Sequence, residues 1–306
     1  MEILKEIVPI KGIALALGFF DGIHIGHKKI FSALLDFAKK NNTKTGVITF
    51  SKNPNDYFSK NPTLSIQNLK NKERILENLG IDYLFELDFE KYKDMEACDY
   101  LKNILVKNFE PSIIIAGYNH TFGKNRFGRA KYLEENQEKY NYKCLIIPEY
   151  KYNNTLEVSS SFIRKNIILG NFELVYKLLD NRYFSVENVV IAGDKIAQTF
   201  GYPTANLNWE NNLIKPFYGV YFGFGEVEGS IIPSLISWGN KPTLSSGKNE
   251  ILEAHLYNYN DYLYGKKIKV YFAKKLRNEQ KFSDINSLET QIKRDYLDFE
   301  QWIKTL

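Results

Sequence analysis

Two histidines three residues apart, His24 and His27, lie in the stretch Gly18 to His27, which reads GFFDGIHIGH. An apolar run, Ile13 to Leu17, precedes them and reads as a buried strand. Ile30, Phe31, Leu34, Leu35 and Ala38 follow at helical spacing. The histidines and Gly26 are therefore expected at a strand-to-helix turn. A helix N-terminus offers N–H groups without intrahelical partners and the positive end of the dipole, which suits an anion. Imidazoles there donate hydrogen bonds to phosphate oxygens and to charge that builds up in phosphoryl or nucleotidyl transfer. Gly22 and Gly26 permit close approach of backbone and ligand. The plainer alternative is a glycine-rich loop whose histidines do no chemistry. Against it, the chain holds only four histidines, and two are in this turn. The turn also belongs to the first strand–helix unit, where open α/β sheets bind nucleotides. A zinc site is less fitting, because the pair lacks a nearby cysteine or third ligand.

Three further stretches carry candidate chemistry. Glu157 to Arg164 reads EVSSSFIR. Ser159, Ser160 and Ser161 read as a helix N-cap, and Arg164 one turn inside suits a phosphate. Ala116 to Gly128 reads AGYNHTFGKNRFG, with Asn119, His120, Lys124 and Arg126 after a strand. A solvated loop and a ligand-binding edge are equally good readings of it. Gly201 to Asn206 reads GYPTAN. Thr204 and Asn206 are two apart, so an extended backbone sends both side chains to one side. Their oxygens are hard ligands that suit magnesium on ATP phosphates. Glu253, in EILEAHLYN, lies in an alternating strand, where it is either a base for an alcohol proton or a solvent-facing glutamate.

These residues need a scaffold, and the chain supplies two textures. Up to about residue 181, strand-like runs (near Ile13–Phe19, Thr45–Phe50, Tyr83–Leu87, Ile113–Gly117 and Cys144–Ile147) alternate with helical patterns. That alternation predicts a doubly wound parallel α/β sheet over 1–181. From 182 to 306, short β-rich runs are separated by turn residues, among them Gly229, Gly239-Asn240, Asn260-Asp261 and Gly265. They predict a small antiparallel β-barrel, closed by an amphipathic terminal helix from Ile285 to Ile303. The 306 residues suffice for two domains, and 44% hydrophobic with 25% charged residues is a globular composition. No apolar run approaches a membrane span, and the N-terminus lacks a signal-peptide layout, so no membrane and a cytoplasmic location are expected. Cys98 and Cys144 are expected as reduced core thiols. A net charge of +5 from scattered lysines, with no basic run, argues against a nucleic-acid partner. Nothing in the sequence reports oligomeric state.

Taken together, the motifs resemble those of bifunctional bacterial riboflavin kinase/FAD synthetases, over essentially the whole chain. GFFDGIHIGH is similar to the family's G-x-F-D-G-x-H-x-G-H pattern, and TFSKNPNDYF from Thr49 to its T-F-x-P-x-P segment. AGYNHTFGKNRFG resembles G-x-N/D-F-x-F-G, and VSSSFIR resembles I-S-S-T-x-I-R. In the second half FGYPTANL resembles the G-x-P-T-A-N element, and WGNKPTL, ILEAHLYNY and KLRNEQKF follow in the family's order. The resemblance implies an FMN adenylyltransferase (nucleotidyltransferase) domain followed by a riboflavin kinase domain, with riboflavin, FMN and ATP as ligands and Mg2+ accompanying ATP. It implies that Gly18, Phe19, Asp21, Gly26, His24 and His27 serve the adenylyl site. Asn119, Ser159, Ser160, Ser161 and Arg164 would hold nucleotide and phosphate. Gly193 and Lys195 would do so in the kinase half, with Thr204 and Asn206 on the metal and Glu253 as base. The chain departs from the pattern at Ala197 and Gln198, where the family has glycine and arginine. It departs also at His120, in place of a phenylalanine, and at Asn53, in place of a histidine. The first departure leaves an alternative open, an FAD synthetase whose second half only binds flavin.

Overall fold

A computed structural model describes residues 1–193, 200–242 and 248–306, and divides into two compact units, Met1–Ser160 and Ser161–Leu306. Ala197, Gln198 and Lys195 lie outside the described residues.

The first unit runs β1 (Glu2–Leu4), β2 (Ala14–Leu17), α1 (Ile25–Asn41), β3 (Thr45–Phe50), α2 (Leu69–Asn78) and β4 (Tyr83–Leu87). A helical stretch α3 (97–109) and β5 (Ile113–Gly117) follow, then the short β6 (Thr121–Phe122) and β7 (Gly128–Arg129). The unit continues with α4 (Ala130–Glu135), α5 (Gln137–Tyr140), β8 (Lys143–Ile147), β9 (Lys151–Tyr152) and β10 (Leu156–Glu157). The main sheet is wholly parallel, in the order β1-β4-β3-β2-β5-β8. Apolar side chains alternate to its two faces. Leu15 and Leu17 of β2 join Phe85, Leu101 and Phe109 on one, and Ala14 and Ala16 join Phe31, Leu34 and Leu76 on the other. Covering both faces is what a parallel sheet requires. Strand β2 lies between β3 and β5, so the chain leaves it in opposite directions, and its carboxyl end is the switch-point crevice.

The second unit contains most of α6 (Ser160–Leu169), then α7 (Phe172–Leu178), β11 (Phe184–Val189), β12 (Ala205–Leu207) and β13 (Gly219–Val227). It ends with β14 (Ser230–Pro242), β15 (Lys248–Leu256), β16 (Lys267–Asn278) and α8 (Ile285–Ile303). Its antiparallel sheet has the order β11-β16-β13-β14-β15-β12. Phe172 of α7 packs on Phe184, Tyr221 and Phe272, so this helix belongs physically to the barrel side.

Three expectations need correction. The Gly239-Asn240 turn is continuous strand within β14. Gly239 is there for space, because a Cβ would lie 2.3 Å from Glu279 Oε1. Cys98 is an exposed helical residue and Cys144 is half-buried, so neither is a core thiol, though both are free. The expected helix from Met95 is locally unwound to π geometry over Tyr100–Val106. No helix among the described residues is long and apolar enough to cross a membrane.

Candidate functional sites

The carboxyl ends of β2, β3 and β5 bring the first site together. His24 is the N-cap of α1, and its Nδ1 accepts the His27 N–H at 3.3 Å. An accepting Nδ1 puts the ring proton on Nε2. The two imidazoles stack with centroids 3.6 Å apart, and Phe20 meets His27 edge-on at 5.3 Å. Gly26 packs closely here, since a Cβ would lie 3.1 Å from His24 Nδ1. A Cβ at Gly18 would lie 2.7 Å from the Phe20 ring, so any side chain there would have to displace that ring. The turn between them is strained. Phe20 at φ 54° and Ile23 at φ 41° both occupy the left-handed region, with Gly22 at φ 81°. A side-chain-bearing residue there costs about 1 kcal/mol or more.

Buried polar groups hold this turn. Asp21 is buried, and both carboxylate oxygens accept the Ile66 N–H. Ser160 Oγ donates to the Asp21 carbonyl at 3.0 Å. This serine starts α6, with Ser159 half-buried before it. Ser161 and Arg164 follow on that helix, in the second unit. The Phe19 carbonyl accepts from Thr49 Oγ1 at 2.9 Å and from Lys72 Nζ at 2.7 Å. Neither Lys72 nor Thr49 stands out in the sequence. The available signal is that Lys72 precedes Ile75 and Leu76 by three and four positions, on the apolar stripe of α2. Asn119 is exposed just beyond β5, beside Gly117. Next to it, burial pushes the His120 imidazole down to about 4, so this ring is neutral. Its Nε2 is buried without a partner among the described residues, and the ring stacks on Phe122. Asn53 caps the turn at Pro54–Tyr57 by accepting the Asn55 N–H.

The second site is on the edge of the antiparallel sheet. Asn206 of β12 stands directly opposite Glu253 of β15, which also faces Ser237 of β14. Directly opposed residues share a face of the sheet, so the two sequence candidates are neighbours. Asn206 Nδ2 donates to the Thr204 carbonyl at 3.3 Å, which fixes its amide. Its Oδ1 is buried and has no hydrogen-bond partner among the described residues. A buried amide oxygen left in that state suits a hard cation, so the donor set fits magnesium. Gly193 lies flat against this amide: a Cβ would meet Asn206 Cγ at 2.4 Å. His255, two residues past Glu253, has Nδ1 2.8 Å from the Pro203 carbonyl, and burial lowers its pKa. The carbonyl can only accept, so Nδ1 carries the proton. Its ring lies against Tyr202 and Tyr296, and these two tyrosines meet at 4.6 Å. Sequence reading passed over His255 because it is one of many polar residues in an alternating strand.

Comparison with known proteins agrees with this division. A family model described as FAD synthetase matches residues 8–162, and one described as riboflavin kinase matches 180–303. The bifunctional riboflavin kinase/FMN adenylyltransferase of Buchnera aphidicola subsp. Schizaphis graminum is 36% identical over 96% of each chain. The Bacillus subtilis protein of the same description is 31% identical over 92% of this chain and 89% of its own. Among solved structures, a Streptococcus pneumoniae chain described as a macrolide-efflux protein superposes with TM-score 0.87 and 26% identity, covering 99% of this chain and 100% of its own. Two catalytic-looking sites on two separately matched halves, in a chain aligned end to end with such relatives, make this protein a member of the bifunctional riboflavin kinase/FMN adenylyltransferase family.

Proposed function

We infer that the chain makes FAD from riboflavin in two ATP-dependent steps that use separate reacting groups. The observation that carries this is the pairing of two intact chemical sets, His24/His27 at a helix N-terminus and Asn206/Glu253 across two strands. Both family models match, and the relatives carry both activities in their description, which favours two activities over a merely flavin-binding second half.

In the kinase step the ribityl 5′-hydroxyl of riboflavin attacks the γ-phosphorus of ATP. Glu253 takes the hydroxyl proton, the bond to the β,γ-bridging oxygen breaks, and FMN and ADP result. Thr204 and Asn206 would hold Mg2+, which would neutralise charge on the ATP phosphates. Gly193 admits the Asn206 amide, and Lys195 is assigned to phosphate by its place in the motif. His255 keeps the Pro203 carbonyl fixed, and with it the segment that carries Thr204.

In the adenylyl step the FMN phosphate attacks the α-phosphorus of a second ATP, pyrophosphate leaves, and FAD forms. His24, donating through Nε2, and His27 stabilise charge on the transferring group, and the α1 N-terminus adds its dipole. Gly18, Phe19, Asp21 and Gly26 shape the turn. Asn119, Ser159 and Ser160 contact nucleotide. Ser161 and Arg164 are assigned to phosphate because they continue the same motif. Free thiols on Cys98 and Cys144 support a reducing, cytoplasmic location.

The test is incubation of purified protein with riboflavin, ATP and Mg2+, followed by chromatography. FMN and then FAD are expected. FAD from supplied FMN, with no FMN from riboflavin, would leave only the adenylyltransferase.

A further inference from the structure

Lys72 is 3% exposed on α2, beneath the turn that follows β2. Its Nζ donates to the Phe19 carbonyl at 2.7 Å and to Thr49 Oγ1 at 3.4 Å, and lies 4.3 Å from the Phe19 ring centroid. Neither polar partner needs it. Phe19 O already accepts from Thr49 Oγ1, and a hydroxyl satisfied as a donor can do without a further donor. A buried ammonium is costly, and an apolar side chain of similar length would serve the fold as well or better. The lysine is therefore in place for something other than stability. The residue it grips, Phe19, is followed at once by Phe20 in the left-handed region, the start of the strained path to His24 and His27.

We propose that Lys72 is a positioning residue for FAD formation, its ammonium clamping the Phe19 carbonyl and ring so that the strained turn presents His24 and His27 correctly. The proposal rests on the adenylyl-transfer reading of that turn. The clamp depends on charge, because both the charge-assisted hydrogen bond and the cation–π contact weaken when the proton leaves. Burial pushes Lys72 down to about 8, although the charges of Asp21 and Glu86 pull it up. The other charged groups around it are Glu73 on its own helix and Lys5, whose Nζ lies 2.5 Å from Glu86. The Met1 amino group sits 3.5 Å from Glu77.

The experiment measures the rate of FMN to FAD, and separately of riboflavin to FMN, from pH 6.5 to 9.5. The wild type should lose FAD synthesis with a midpoint near pH 8, while riboflavin phosphorylation shows no such limb. Lys72→Met should melt no lower than the wild type at pH 7, lose about tenfold in FAD synthesis and lose the alkaline limb. Glu86→Gln removes a charge that holds the proton on Lys72, and should move the limb to lower pH. An unchanged rate or a persisting limb in Lys72→Met overturns the proposal. If that variant does not fold, a limb unmoved by Glu86→Gln overturns it instead. A wild type that makes no FAD at any pH defeats the adenylyl-transfer reading itself, which is a different result.

Discussion

At the residue scale, the site proposed for the kinase step turns on one contact that leaves no slack. Gly193 and the Asn206 amide occupy space that a methyl group would need. Gly193→Ala should push the amide off its position and lower FMN formation about tenfold at limiting Mg2+, the scale of a modest overpacking strain. A magnesium titration of riboflavin phosphorylation reads this, and FAD synthesis from FMN should not change. The neighbouring departure from the family pattern, at Ala197 and Gln198, is expected to act on ATP instead. Gln198 offers a neutral amide where the family has a charged donor, and Ala197 adds a methyl where it has glycine. Ala197→Gly with Gln198→Arg should lower the KM for ATP in the FMN-forming step alone. Thr204, Asn206 and Glu253 stood out in the sequence as residue types able to hold a metal or take a proton. The meeting of Asn206 with Glu253 did not, because it depends on the register of β12 against β15, which no local pattern records. Lys72 was hidden for the opposite reason. A lysine on a helix reads as solvated, and only the packing of α2 under the turn buries it.

At the element scale, α8 packs against the segment that carries the proposed kinase residues. Asp295 is buried on it and accepts a two-pronged grip from Arg277 of β16, with Nε–Oδ1 2.8 Å and Nη2–Oδ2 2.6 Å. The next residue, Tyr296, packs against Tyr202 and His255, which flank the GYPTAN segment. Asp295→Ala would strand a largely buried guanidinium. It should cost about 3 kcal/mol in denaturant unfolding of this unit and weaken riboflavin phosphorylation further through the loosened packing. The ends of α8 follow from its sequence, since Asp284 accepts the Ser287 N–H as an N-cap and an apolar face runs to Ile303. The strands Thr45–Phe50, Tyr83–Leu87 and Ile113–Gly117 were equally plain, being continuous apolar runs buried on both faces. Strand β12 was not, because three residues after a proline carry no periodicity. Gly239 misled because a glycine needed for close approach looks the same as one needed for a turn.

At the scale of the whole molecule, the two halves differ in topology, parallel against antiparallel, with His24 and His27 in the first unit and Asn206 and Glu253 in the second. The alternation of strands and helices, then its replacement by short β runs, made that change of topology readable in the sequence. Placing α7 was harder, because an amphipathic helix between two domains does not state which core it joins. Global stability should carry the mark of the buried lysine. With its folded pKa near 8, below the ordinary lysine value, Lys72 favours the folded state fully only above the unfolded pKa. That contribution is lost as pH falls through 8. The stability of the wild type relative to Lys72→Met should therefore rise between about pH 8 and pH 10, measured by thermal melts of both proteins. The central claim is that the two reactions use separate reacting groups. It is tested most directly by one crossed assay, in which His27→Ala and Glu253→Gln are each measured for both steps. His27→Ala should cut FAD formation from FMN by on the order of a hundredfold and leave riboflavin phosphorylation intact. Glu253→Gln should do the reverse. Equal loss of both activities in either variant would contradict the account.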